Sequence, residues 1–135
     1  MRLSLDLRLQ VAQRARGRCE YCLLHETDAA FNHQVDHIVS RKHGGRSSAD
    51  NLAYACTICN RLKGSDIASI DRLGELISLF NPRLADWTSN FRLDGSIIQP
   101  LTAEAEATAR LLRFNTAERV LERHMLLQLD RYPRR

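Results

Sequence analysis

Between Ser4 and Arg16 the apolar residues Leu5, Leu9, Ala12 and Ala15 return every three or four positions, the spacing of one helix face. Ser4 suits the N-cap and Gly17 the close, so the pattern predicts an amphipathic helix packed beside the cysteines that follow. Arg8, Arg14, Arg16 and Arg18 fall on its remaining surface. The period then changes. Gln34 to Val39 alternate weakly around Val35, Ile38 and Val39 and predict a short strand. "RKHGGRSS" supplies turn residues, and Leu52 to Ala55 can return as a second strand. Helical residues after Cys56, through Arg61 and Lys63 to Gly64, complete a strand, loop, strand, helix order. Beyond Asp66, "DIASIDRLGELISLF" places Ile67, Ile70, Leu73, Leu76 and Ile77 at helical spacing and predicts a helix ending at Asn81-Pro82. Trp87 to Leu93 and Ser96 to Leu101, joined by Asp94-Gly95, predict a hairpin with Trp87 and Phe91 in the core. Two helices are expected after Thr102 and Asn115, Asn115 and Glu118 having capping-box spacing. With no repeat, low-complexity segment or long linker, the 135 residues read as one α+β domain. Residues 18–66 form its chemically interesting core, and residues 67–135 a packing lobe of helices and a β-hairpin.

Composition narrows the class. No stretch approaches the roughly 20 apolar residues of a membrane span. The first residues interleave charges with leucine, unlike a signal peptide, so a cytoplasmic location is expected. Net charge is +4, and all but two of the 20 basic residues are arginine, the exceptions being Lys42 and Lys63. Arginine pairs with phosphate oxygens as a bidentate fork, so the surplus leans towards nucleic acid, the alternative being a generally basic surface.

All four cysteines fall in two Cys-x-x-Cys pairs, Cys19 with Cys22 and Cys56 with Cys59. Each knuckle offers two sulfurs from one tight turn, and two knuckles close a tetrahedral Zn²⁺ site. Disulfides and a thioredoxin-like redox pair are the alternatives. The first fits a reducing compartment poorly, and the second lacks a βαβ context. Four thiolates leave no open position for water, so zinc here would be structural and any catalysis lies elsewhere.

Between and beside the knuckles stand Asp36 and His37 on the first strand, Asn51 before the second, and Asn60 directly after Cys59. Packing a helix against the strand pair brings Asp36 and Asn60 together. Their side-chain oxygens suit Mg²⁺ or Mn²⁺, which keep several waters and leave room for a phosphate. His37 can accept a proton from attacking water near neutral pH, and Asn51 can hold His37 or its loop. Adjacent strand residues point to opposite faces, so the strand must distort, or the metal sit at its edge, for Asp36 and His37 to share a site. Arg41, Arg61 and Lys63 are near enough in sequence to contact flanking phosphates. His43 reads as a loop residue, and His25, His33 and His124 carry no argument.

In Val35-Asp36-His37-Ile38, Gly44-Gly45, Asp50-Asn51-Leu52, Cys59-Asn60 and Lys63-Gly64, together with both knuckles, the sequence resembles the HNH endonuclease family. The resemblance spans roughly Arg18 to Asp66. It implies a zinc-stabilised ββα-metal fold and metal-dependent hydrolysis of DNA phosphodiester bonds. It further implies His37 as general base, Asn51 as positioning residue, and Asp36 with Asn60 as ligands of one divalent cation, Mg²⁺ or Mn²⁺ foremost and Ni²⁺ as an option. Asn60 stands where the family name has its final His, as in an HNN variant, and a neutral amide there makes metal affinity depend more on Asp36. The competing expectation is a non-catalytic zinc-finger module that binds nucleic acid; a zinc-stapled protein-interaction adaptor is a third.

Overall fold

Two short strands meet around the glycine-containing turn. β1 (Gln34–His37) runs antiparallel to β2 (Leu52–Ala55), pairing Gln34 with Ala55 and His37 with Leu52. The chain then enters α2 (Thr57–Lys63), whose first turn is capped by Cys56 Sγ accepting from the Cys59 amide. Its preceding helix, α1 (Leu5–Arg14), begins at Ser4, whose hydroxyl accepts from the Leu7 amide. These elements come from a computed structural model that describes residues 3–135.

The buried side of α1 is not the side its leucines mark. Leu5 and Leu9 are 70% and 49% exposed, and Val11 with Ala15 are the residues that enter the core. Arg14 explains the rotation: its guanidinium donates to the carbonyls of Ala49 and Leu52 at 2.8 and 2.6 Å. That docks the opposite side of the helix at the start of β2, where the Leu52 carbonyl also accepts from Arg83 at 3.3 Å.

The helix expected over 66–80 is absent. In its place β3 (Ala68–Ile70) pairs antiparallel with β4 (Leu76–Ser78). The Asp71 carboxylate accepts from the amides of Leu73 and Glu75 at 2.8 and 2.9 Å, and Gly74 takes φ +80°. An Asp that captures its own downstream amides, three residues before a glycine in the left-handed region, makes a turn that the apolar spacing concealed. The next expected strand also shortens: α3 (Trp87–Asn90) is one helical turn, and the hairpin proper is β5 (Phe91–Asp94) with β6 (Ile97–Pro100). Asp94 pairs with Ile97, so Gly95 and Ser96 form the loop.

The last two helices are α4 (Ala103–Leu111) and α5 (Ala117–Gln128). Thr116 caps α5. Asn115, expected to be that cap, instead pairs with both backbone groups of Ile98 and accepts from Arg123. One apolar cluster joins the two halves of the chain: Cys19, Tyr21, Cys22, Ala53, Cys56 and Cys59 lie in contact with Phe80, Phe91, Ile98, Leu112 and Phe114. Trp87 packs against it at the rim. No helix among the described residues is long and apolar enough to cross a membrane.

Candidate functional site

The knuckles converge as their spacing implied. Cys19, Cys22, Cys56 and Cys59 are free and buried, with all four sulfurs within 4.8 Å of one another and Cys22 Sγ 3.7 Å from Cys56 Sγ. A disulfide needs about 2.05 Å, whereas a tetrahedron with Zn–S of about 2.3 Å has edges of about 3.8 Å. Each knuckle is braced by its own amide, Cys22 N to Cys19 Sγ and Cys59 N to Cys56 Sγ, at 3.5 and 3.4 Å. Burial pushes the Cys19 and Cys59 thiols well up, while hydrogen bonds from the neighbouring sulfurs hold Cys22 well down. Four such sulfurs ionise together only around a cation, and this donor set fits structural zinc.

A second, open site lies on the ββα unit. A cleft of about 260 Å³ is lined by Asp36 and His37 of β1, Arg41 of the following loop, and Asn60 of α2. His37 is half-buried, and its Nε2 lies 2.8 Å from Ser47 Oγ. Asn60 donates to Gln34 Oε1 at 2.6 Å, which leaves its own side-chain oxygen available. Arg41 and Arg61 are exposed, as phosphate contacts need to be.

Asn51 secures the loop between the strands. Its amide donates to the carbonyls of Val39 and Arg46 and its oxygen accepts from the Val39 amide, at 2.8 to 3.0 Å. Both ends of the turn carrying Ser47 are therefore tied to one side chain. Gly45 makes the approach possible, because a Cβ there would collide with the Val39 carbonyl oxygen and lie 2.8 Å from Asn51 Nδ2. Gly45→Ala is expected to lose roughly 1–3 kcal/mol, the usual cost of overpacking. Thermal unfolding measures it, with Gly44→Ala as a comparison whose strain comes from φ +87° and not from crowding.

Asp36 and Lys63 behave differently from expectation. Lys63 does not reach outward to a phosphate. It is 2% exposed, with Nζ 3.3 Å from Asp36 Oδ2 and 3.1 Å from the His37 carbonyl. Tyr21 donates its hydroxyl to Asp36 Oδ2 at 2.8 Å. Burial pushes the Asp36 carboxyl up, and Lys63 and the Tyr21 hydroxyl pull it back without fully offsetting that. A carboxylate has about four lone-pair sites. Tyr21 and Lys63 engage Oδ2 and Lys63 Nζ also lies 3.4 Å from Oδ1, so a hard cation that keeps most of its water would have the remaining lone pairs of Asp36 and the Asn60 side-chain oxygen to use. Alternation along β1 sends Asp36 towards the core and His37 towards the loop, while the two residues still border one cleft.

Ser47, Tyr21 and Gln34 are partners of the site that were not among its expected residues. Tyr21 had one signal, its place between two metal-ligand cysteines whose positions are fixed; the other two had none.

Residues 19–66 match the family model described as HNH endonuclease. No curated protein and no solved structure matches the chain. The match begins at the first zinc-type knuckle and ends just past α2, so it is in Cys19–Asp66 that this chain carries the sequence pattern and the ββα arrangement of the HNH endonuclease family.

Proposed function

We propose that the protein is a metal-dependent endonuclease that hydrolyses DNA phosphodiester bonds at the cleft between β1 and α2. The observation that carries this reading is the common cleft of Asp36, His37 and Asn60, a set that binding alone does not require. His37 acts as general base: one ring nitrogen engages Ser47, and the other can take the proton of a water attacking phosphorus. Asn51 holds the turn that carries Ser47 and thereby orients the imidazole. Asp36 and Asn60 would hold the divalent cation, Mg²⁺ or Mn²⁺, which supplies Lewis-acid stabilisation of the charge on the phosphate and leaving oxygen. Arg41 and Arg61 neutralise flanking phosphates. The cysteine cluster carries structural Zn²⁺, and residues 67–135 serve as support for it.

The buried Lys63–Asp36 pair favours the second reading, a zinc-stabilised module that binds nucleic acid without cutting it, because it already neutralises the carboxylate. Supercoiled plasmid in molar excess over protein, followed over a series of salt concentrations, separates the two. The nuclease reading expects multiple turnovers with added Mg²⁺ or Mn²⁺ and affinity that falls steeply with salt. The binding reading expects the same salt dependence and intact plasmid, and an adaptor for other proteins expects intact plasmid and no salt-sensitive DNA affinity.

A further inference from the structure

The geometry points to Arg119 of α5 as the cation that offsets the charge of the zinc–cysteine cluster, so that the C-terminal lobe sets how firmly the metal is held. This depends on the cysteines holding zinc, and not on whether the cleft cleaves DNA.

Zn²⁺ with four thiolates carries two net negative charges, and the four sulfurs are buried in an apolar cluster. A desolvated charge of that kind requires compensation. Arg119 is 7% exposed and directs Nη2 at Cys59 Sγ, 3.3 Å away, and at Cys56 Sγ, 3.9 Å away. Its other terminal nitrogen donates to the Leu112 carbonyl at 2.7 Å, and the guanidinium carbon lies 5.8 Å from the centre of the Phe114 ring. These contacts fix the fork with one edge on the metal-ligand sulfurs. None of the ion pairs among the described residues uses Arg119, and the sulfurs are the anionic groups its hydrogen bonds reach. It stands 60 positions beyond Cys59 and outside the matched segment 19–66.

The alternative role for Arg119 is mechanical, capping the carbonyl of Leu112 and holding the lobe down. Other contacts do the latter without touching sulfur: Tyr132 donates its hydroxyl to the Cys22 carbonyl at 2.7 Å, and Trp87 Nε1 donates to the Tyr21 carbonyl at 2.8 Å. They provide the control.

The test is the rate at which full-length, zinc-loaded protein releases zinc to a chromogenic chelator, with folding of each variant checked by circular dichroism. Loss of an outer hydrogen-bond partner of a metal ligand typically costs about 10–100-fold in affinity. Arg119→Met is therefore expected to release zinc at least about tenfold faster, Arg119→Lys at an intermediate rate, and Tyr132→Phe at close to the parent rate. Release from Arg119→Met within about twofold of the parent, well short of that typical range, would overturn the inference. So would an equal acceleration by Tyr132→Phe, which would assign the effect to docking of the lobe. Should Arg119→Met yield no folded protein, Arg119→Lys and Arg119→Gln decide: firmer zinc retention by Lys supports compensation of charge, and equal release from the two overturns it. A parent protein that binds no zinc overturns this inference and leaves the nuclease reading to its own assay.

Discussion

His37→Ala is expected to lose plasmid cleavage by about 10²–10⁴-fold, the contribution usually made by a positioned general base, while keeping its zinc and its DNA affinity within a few-fold. The separation follows from where His37 sits. Its side chain borders the open cleft and bonds to Ser47 Oγ, and one such hydrogen bond is worth about 0.5–1.5 kcal/mol of stability. The strand pairing of His37 with Leu52 is made by the backbone and survives the substitution. The zinc cysteines lie in the apolar cluster, which does not include His37. Parallel measurement of cleavage, metal content and salt-titrated binding on one preparation checks all three parts.

Lys63→Met is expected to destabilise the protein by about 3–5 kcal/mol, the cost of leaving one member of a buried ion pair without its partner. The side chains of Lys63 and Asp36 are 3% and 4% exposed, so water cannot replace the lost ammonium. The double variant Asp36→Asn with Lys63→Met should recover much of the loss, because neither charge then remains. The pH dependence has a definite sign. Burial already raises the Asp36 carboxyl in the folded protein, and removing Lys63 raises it further. The folded state of the variant then holds a proton more tightly than the unfolded chain does. Stability relative to the parent should therefore recover as pH falls through the raised value and worsen as pH rises. Urea unfolding at several pH values measures both effects. Had Lys63 been a surface phosphate contact, its replacement would have altered salt-dependent DNA binding and left stability within about 0.5 kcal/mol.

What the sequence disclosed and what it concealed divide along range of interaction. The strand pair, the α2 start at Cys56 and each Cys-x-x-Cys turn rest on local residue types and spacings, and the two knuckles, 34 residues apart, were legible as one site because four thiolates share one metal chemistry. Asn51 was legible as a loop anchor for the same reason, since its partners Val39 and Arg46 lie within the turn it closes. The 68–78 hairpin was missed because apolar spacing every three or four residues fits a helix as well, and Asp71 with Gly74 decided the matter locally. Ile70, Leu73 and Leu76 are mostly exposed there, so burial did not enforce the helical face. The α1 face was misread because two long-range bonds from Arg14 outweigh the partial burial its leucines offered. Lys63 and Arg119 could not be placed from sequence at all. A cation 26 residues from its carbonyl partner, or 60 from its sulfur, looks in a one-dimensional reading like any other surface charge.

Catalysis in the cleft of Asp36, His37 and Asn60 is decided by whether zinc-verified parent protein converts supercoiled plasmid. Protein dialysed free of exchangeable cations, its zinc content checked before and after, is predicted to leave plasmid intact. It should then convert plasmid to nicked or linear forms over many turnovers once Mg²⁺ or Mn²⁺ is added. Bound but uncut plasmid under every divalent cation tried, with zinc retained throughout, would show that the cleft binds DNA without hydrolysing it.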